Sequence, residues 1–143
     1  MGGLQQIRRA FWFVTRPEIH GAHAVPITPG GKIVLVKLRY ARGWRLPGGG
    51  RKRNEDPKET ALRELKEEIG LTAHGRVSCF GELVEIHDHR EDHATLFVVR
   101  DVEYQPPRWS LEIEDVTEAP IDALPADTSP RTRAWLAAAR PKL

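Results

Sequence analysis

The rhythm of apolar and polar residues changes several times along this chain, and each change marks an element. Residues 21–28 (GAHAVPIT) and 32–38 (KIVLVKL) are β-prone runs joined by Pro29-Gly30-Gly31. Proline presets φ and glycine tolerates a tight turn, so the pair predicts a hairpin. In the second run Ile33 and Leu35 alternate with Val34, Val36 and Leu38; both faces are apolar, as in a central strand. The preceding AFWFVT run is expected to add an edge strand. The period then lengthens to that of a helix, with Ala61, Leu62, Leu65 and Ile69 on one stripe. Asp56 as N-cap, Pro57 at the first helical position, Glu59 two residues later and Gly70 just past the end bound that helix. Residues 75–87 and 94–104 read as two long strands around a polar loop that includes Asp88–His93. Leu111–Val116 is either a short strand or an acidic loop. Asp127-Thr128-Ser129-Pro130 opens a last helix that turns Trp135, Leu136 and Ala139 to the core and ends before Pro141. Strands, helix, strands and helix in this order predict an α/β (α+β) fold, a mixed sheet sandwiched between helices.

Composition narrows the class without choosing a function. A length of 143 residues suits one domain, expected over 1–143 with residues 1–10 as a flexible lead-in. No apolar run approaches the roughly 20 residues of a membrane span, and the N-terminal stretch lacks a secretory core. The lone Cys79 forms no internal disulfide and fits a reducing, cytoplasmic setting. Its place in an apolar alternation predicts a small core residue.

Charge changes the picture more. The net charge is only +2. Yet no acid stands between Glu18 and Glu55, where Lys32, Lys37, Arg39, Arg42, Arg45, Arg51, Lys52 and Arg53 fall. A basic stretch leading into an acidic helix suits a polyanion bridged to the protein by cations. Aromatics are 7% of the chain and are not interleaved with the bases, which disfavours nucleic acid as a partner. On the helix, Glu64, Glu67 and Glu68 fall within about 100° of one another. Each like-charge pair at i,i+3 or i,i+4 costs a few tenths of a kcal/mol, roughly, in an isolated helix. A divalent cation reverses that sign, and Mg²⁺ takes such hard oxygen ligands while sharing itself with substrate phosphates. Glu55 stands just outside the N-cap, and Arg63 flanks the acidic stripe, where it can hold Glu55 or Glu67.

These residues carry a family resemblance. Gly49, Glu55, Arg63, Glu64, Leu65, Glu67, Glu68, Gly70 and Leu71 match the Nudix signature G-x5-E-x7-R-E-U-x-E-E-x-G-U at every spacing. The preceding WRLPGG also resembles the family. The likeness implies the Nudix fold and hydrolysis of a nucleoside diphosphate linked to another moiety, with Mg²⁺ or Mn²⁺. By position it implies Glu64, Glu67 and Glu68 as metal ligands, with the Gly48 carbonyl as a further one, and Glu55 and Arg63 as orienting groups. Within that reading a box glutamate, Glu64 or Glu68, is preferred as general base over Glu112, Glu114, Asp115 or Glu118.

The likeness leaves the substrate open. Some family classes carry a proline or tyrosine past the box, or an extended array for NADH. Residues 72–103 hold neither Pro nor Tyr, and that array is absent. A small nucleotide such as a nucleoside triphosphate remains the expected substrate. A nucleotide-sensing or RNA-binding module and an RNA 5′-end hydrolase are the alternatives, and a homodimer is left open. Arg39, Arg42 and Arg45 are candidate phosphate contacts, with Arg45 the best placed; Trp44 or Tyr40 is the candidate base-stacking ring, core packing being the preferred role for Trp44. The three histidines of His87–His93 lack the spacing and the second cluster of a zinc site. They are expected to form a polar loop or to cover a pocket.

Overall fold

The computed structural model describes residues 18–87 and 90–143. Strand β1 (Glu18–Pro26) is paired on both edges: antiparallel with β4 (Gly48–Gly50) and parallel with β7 (Arg90–Val99), which also pairs with β6 (Val77–His87). A second sheet places β2 (Ile33–Leu38) between β3 (Trp44–Arg45) and β9 (Ile113–Ala119). A small ribbon joins β5 (Leu71–Ala73) to β8 (Glu103–Tyr104). Helices α1 (Pro57–Ile69) and α2 (Pro130–Ala139) complete the order.

Alternation along the strands sorts the core into two layers. Ala22, Ala24, Val34, Val36, Phe97 and Val99 meet Ala61, Leu65 and Ile69 of α1. Val25, Ile27, Ile33, Leu35, Leu96 and Val98 point the other way and meet Trp135, Leu136 and Ala139 of α2. A mixed sheet assembly between helices is therefore the observed α+β architecture, as the element order predicts.

Both helices begin and end for local reasons. The Asp56 side chain accepts from the Glu59 N–H at 2.8 Å, Pro57 opens the first turn, and Gly70 ends the helix in the left-handed region at φ 72°. A β-carbon on Gly70 would also collide with the Gln105 carbonyl. Ser129 caps α2 by accepting from the Thr132 N–H. The chain then tightens into a 3₁₀ turn, Arg140–Lys142, that contains Pro141.

Several expectations need correction. The turn at residues 28–32 forms, with the Thr28 N–H bonded to the Lys32 carbonyl at 2.9 Å, but no hairpin follows it. Both edges of β1 are already taken, so β2 leaves after the single Ile27–Ile33 bridge and joins the other sheet. The glycines 48–50 form strand β4 rather than a loop. Residues 90–93 belong to β7 and not to a loop, because the tip of the β6–β7 hairpin matches its charges: Arg131 reaches both Glu85 (3.0 Å) and Asp92 (2.8 Å). Cys79 is exposed, not buried, on an edge strand whose register shifts between Cys79 and Gly81. Of the two readings of Leu111–Val116 the strand is the one that forms, as β9 from Ile113. The AFWFVT run lies outside the described residues. Among the described residues no helix is long and apolar enough to cross a membrane.

Leu65 is fully buried, whereas Ile86 is 72% exposed on the edge strand. Leu65→Ala is expected to lower unfolding free energy by about 3 kcal/mol and Ile86→Ser by less than about 0.5 kcal/mol, measured by urea denaturation.

Candidate active site

Helix α1 lies against the glycine strand β4, and this contact builds the site. The two glutamates on the inward side, Glu64 and Glu68, are each only 2% exposed. Gly49 makes that approach possible. A β-carbon there would stand 2.8 Å from the Glu64 carboxyl. One turn further along, the Gly48 N–H donates to Glu68 Oε2 at 3.3 Å. Beside Gly48 in the β1–β4 register stands His23, whose imidazole packs edge-on against Trp135 at 4.9 Å. Burial, helped by the Arg131 charge, pulls its pKa down to about 4, so His23 is neutral.

Arg63 connects the acidic groups. Its Nε and Nη2 donate to the two oxygens of Glu55 at 2.7 and 2.9 Å, and Nη2 also donates to the Gly50 carbonyl at 3.0 Å. Its Nη1 donates to Glu64 Oε1 at 2.9 Å and reaches both Glu67 oxygens at 3.3 Å. Glu55 is fixed further by the Thr60 hydroxyl at 2.8 Å and the Lys52 N–H at 3.0 Å. The Arg63 hydrogen bonds dominate, against an opposing burial effect, and hold the Glu55 carboxyl down at about 2. Burial works to lower the Arg63 pKa, but its bonds to Glu55 and the charges of Glu64 and Glu67 outweigh it and raise it.

Glu68 is pushed the opposite way. Burial comes first, then its hydrogen bond with Glu64 and the charges of Glu64 and Glu112; together they hold it well above the ordinary carboxylate value despite the Gly48 N–H. Two buried carboxyls at close quarters favour either a shared proton or a cation between them. Among the described residues no three His, Cys, Asp or Glu side chains are already gathered into a finished metal cluster. The oxygen-only donor set of Glu64 and Glu68, with Glu67 beside it on Arg63, fits a hard divalent ion.

The basic candidates and two of the downstream acids fall in two clefts that share Arg39 and Glu114. One, of about 220 Å³, is lined by Arg39, Glu68, Pro107, Trp109, Ser110 and Asp115, among others. The second, of about 540 Å³, carries Lys37, Arg39, Arg42 and Arg45 around Asp127 and Ser129. Four of the basic residues singled out by sequence, Lys37, Arg39, Arg42 and Arg45, therefore do converge. Arg45 is half-buried and donates to the Arg42 carbonyl at 3.1 Å. Trp44 is not brought to the Glu68 cleft; it packs on the α2 side of the core, with Lys37 Nζ over its ring at 5.2 Å. Tyr40 is exposed and donates to Glu112 Oε1 at 3.2 Å. Of the downstream acids, Glu112 acts electrostatically on Glu68, Glu114 and Asp115 line the smaller cleft, and Glu118 accepts from the Tyr104 hydroxyl at 2.5 Å. His93 lies between Glu82 (2.8 Å) and Glu91 (3.0 Å), with His20 stacked on it. Trp109 went unnoticed in the sequence. The Pro-Pro-Arg-Trp run at 106–109 was its one available signal.

A family model described as the NUDIX domain matches residues 18–139, and the chain belongs to the Nudix family. It is 46% identical over 41 residues to an RNA pyrophosphohydrolase of Hydrogenovibrio crunogenus, a match covering 29% of this chain and 25% of that protein. With an RNA pyrophosphohydrolase of Acidiphilium cryptum it shares 52% over 60 residues, 38% and 35% of the two chains. The chain thus spans about a quarter to a third of the length of these relatives. A MutT Nudix hydrolase from Burkholderia pseudomallei has a similar structure, with a TM-score of 0.72 at 25% identity over 84% of this chain and 96% of that one. A UDP-X diphosphatase shares the fold, with a TM-score of 0.66 at 20% identity over 90% and 64% of the two chains. Family model and solved structures thus agree on the fold.

A depressed carboxylate such as Glu55 stabilises the fold above its ordinary value of 4.5, and that contribution is lost as pH falls from there towards about 2. The stabilities of the metal-free protein and its Glu55→Gln variant are expected to differ most near neutrality and to converge over that acid window. Urea midpoints recorded against pH check this.

Proposed function

We propose that this protein is a Mg²⁺-dependent Nudix pyrophosphohydrolase whose substrate is a nucleoside diphosphate linked to another moiety, a small nucleotide such as a nucleoside triphosphate. The observation that carries this reading is the buried Glu64–Glu68 pair beneath the glycine strand, with Arg63 tying Glu55, Glu64 and Glu67 to it. Glu64, Glu67 and Glu68 would hold Mg²⁺ or Mn²⁺ with the Gly48 carbonyl. When bound, the ion supplies positive charge to the bridging phosphates and polarises the attacking water.

The chain's own groups do the rest. Arg63 and Glu55 fix the orientation of the carboxylates, so little reorganisation is needed when substrate arrives. Glu64 or Glu68 takes the proton of the attacking water, and in-line displacement at phosphorus releases the two halves. Glu112, whose charge is felt at Glu68, is the strongest of the downstream alternatives. Arg39, Arg42, Arg45 and Lys37 receive the phosphates beyond the scissile bond. A cytoplasmic location suits a nucleotide substrate and the free thiol of Cys79.

A second reading, hydrolysis at RNA 5′ ends, is favoured by the partial matches to RNA pyrophosphohydrolases and by the basic cleft. Salt-dependent binding of 5′-triphosphorylated RNA distinguishes it from the first.

Glu68→Gln is expected to fold normally by circular dichroism and to lose roughly 100-fold or more in turnover. Full activity in this variant sinks the assigned role. A screen with Mg²⁺ and Mn²⁺ over nucleoside triphosphates, dinucleoside polyphosphates, nucleotide sugars and triphosphorylated RNA identifies the substrate. Chelation by EDTA is expected to abolish turnover in every case, and metal-independent hydrolysis refutes the proposal.

A further inference from the structure

We infer that Trp109 is the platform on which the substrate's aromatic base stacks, with Arg39 backing the opposite face of the indole; this assignment rests on the pyrophosphohydrolase reading above. Trp109 is 67% exposed although it is among the most apolar residues of its loop. Leaving so large a ring in water is unfavourable, and a flat ligand lying on it recovers that loss. Its position gives the ligand a class. Trp109 lines the same small cleft as Glu68, so a ring seated there lies next to the carboxylates where the phosphoanhydride would be cut.

The platform is held in place before any ligand arrives. Pro106 and Pro107 stiffen the approach to it, and the Gln105 N–H ties the start of the loop to the Gly70 carbonyl at 2.9 Å. On the far side, the Ser110 hydroxyl accepts from the N–H groups of Glu112 and Ile113 at 3.2 and 3.0 Å. The guanidinium of Arg39 lies 5.2 Å from the Trp109 ring centre, and its Nε donates to the Ser110 carbonyl at 2.7 Å. The Arg39 N–H is bonded in turn to the Glu112 carbonyl at 2.9 Å. One face of the indole is thus taken by the cation, and both residues border the cleft.

The cleft, about 220 Å³, is smaller than the ~300 Å³ at which sites for drug-sized ligands begin, and it suits one flat ring system. A stacking surface recognises any base, since each has a π-face, and so the enzyme tolerates different bases while requiring one. Arg39 also lines the basic cleft, which sets the direction of the substrate: base on Trp109, scissile phosphates at Glu68, the remaining phosphates towards Arg42 and Arg45.

Two measurements test this. In the first, AMP is titrated against tryptophan emission of the full chain without metal. Quenching is expected in the wild type and is expected to vanish in Trp109→Phe, which keeps a stacking ring but removes the reporter. In the second, Trp109→Ala raises KM for nucleoside triphosphates about 10-fold with kcat changed less than about 3-fold, and Trp109→Phe restores most of the KM. Absent quenching in the wild type, undiminished quenching in Trp109→Phe, or an unchanged KM in Trp109→Ala overturns the assignment. If the wild type hydrolyses nothing in the substrate screen, the pyrophosphohydrolase reading fails, while the emission titration still decides for or against the platform.

Discussion

Arg63 is the residue on which the arrangement of this molecule's acidic helix depends. One guanidinium serves three carboxylates and a backbone carbonyl, and in doing so it joins the loop before the helix, two turns of the helix and strand β4. Without it, Glu55, Glu64 and Glu67 would lose the guanidinium that offsets their mutual repulsion. A lysine in its place would present a point charge and no fixed fork, and could not serve Glu55 bidentately while reaching the other partners. The geometry at Glu64 and Glu68 follows from this clamp and from the absence of a side chain on Gly49.

The scaffold around the clamp is less unusual. Small residues, Ala22 and Ala24 on β1 and Ala61 on α1, let the helix settle close to the sheet, and Leu65 and Ile69 fill the remaining space. The acidic stripe therefore occupies the margin of the same face that supplies the core. Burial of Glu64 and Glu68 comes from their neighbours' packing, and the raised pKa of Glu68 is the electrostatic result.

What could be read from the sequence was whatever depends on neighbours in the chain. The caps of α1 at Asp56 and Gly70 were legible because they are written into consecutive residues. So was the cluster of Glu55, Arg63, Glu64, Glu67 and Glu68, whose members sit within four turns. Pairing choices were not. The turn at residues 28–32 has every local property of a hairpin, but whether β2 joins β1 depends on β4 and β7 claiming its edges first. Polar Arg90–His93 looked like a loop because the matching charge, Arg131, comes from a helix about 40 residues away in the chain. Trp109 was missed for a related reason. It comes to share a cleft with Glu68 only when the loop before β9 folds back over the C-terminal end of α1.

Strand β2 has a place that bears on how the chain comes apart. Val34 and Val36 belong to the layer under α1, while Ile33 and Leu35 belong to the layer under α2, and all four are essentially inaccessible to water. Neither layer can dissolve alone without stripping one side of the strand that completes the other. The two helices thus share one fate though they never touch the same side chains of β2. Melting is therefore expected to be one cooperative event, with no half-folded species that keeps a single intact layer.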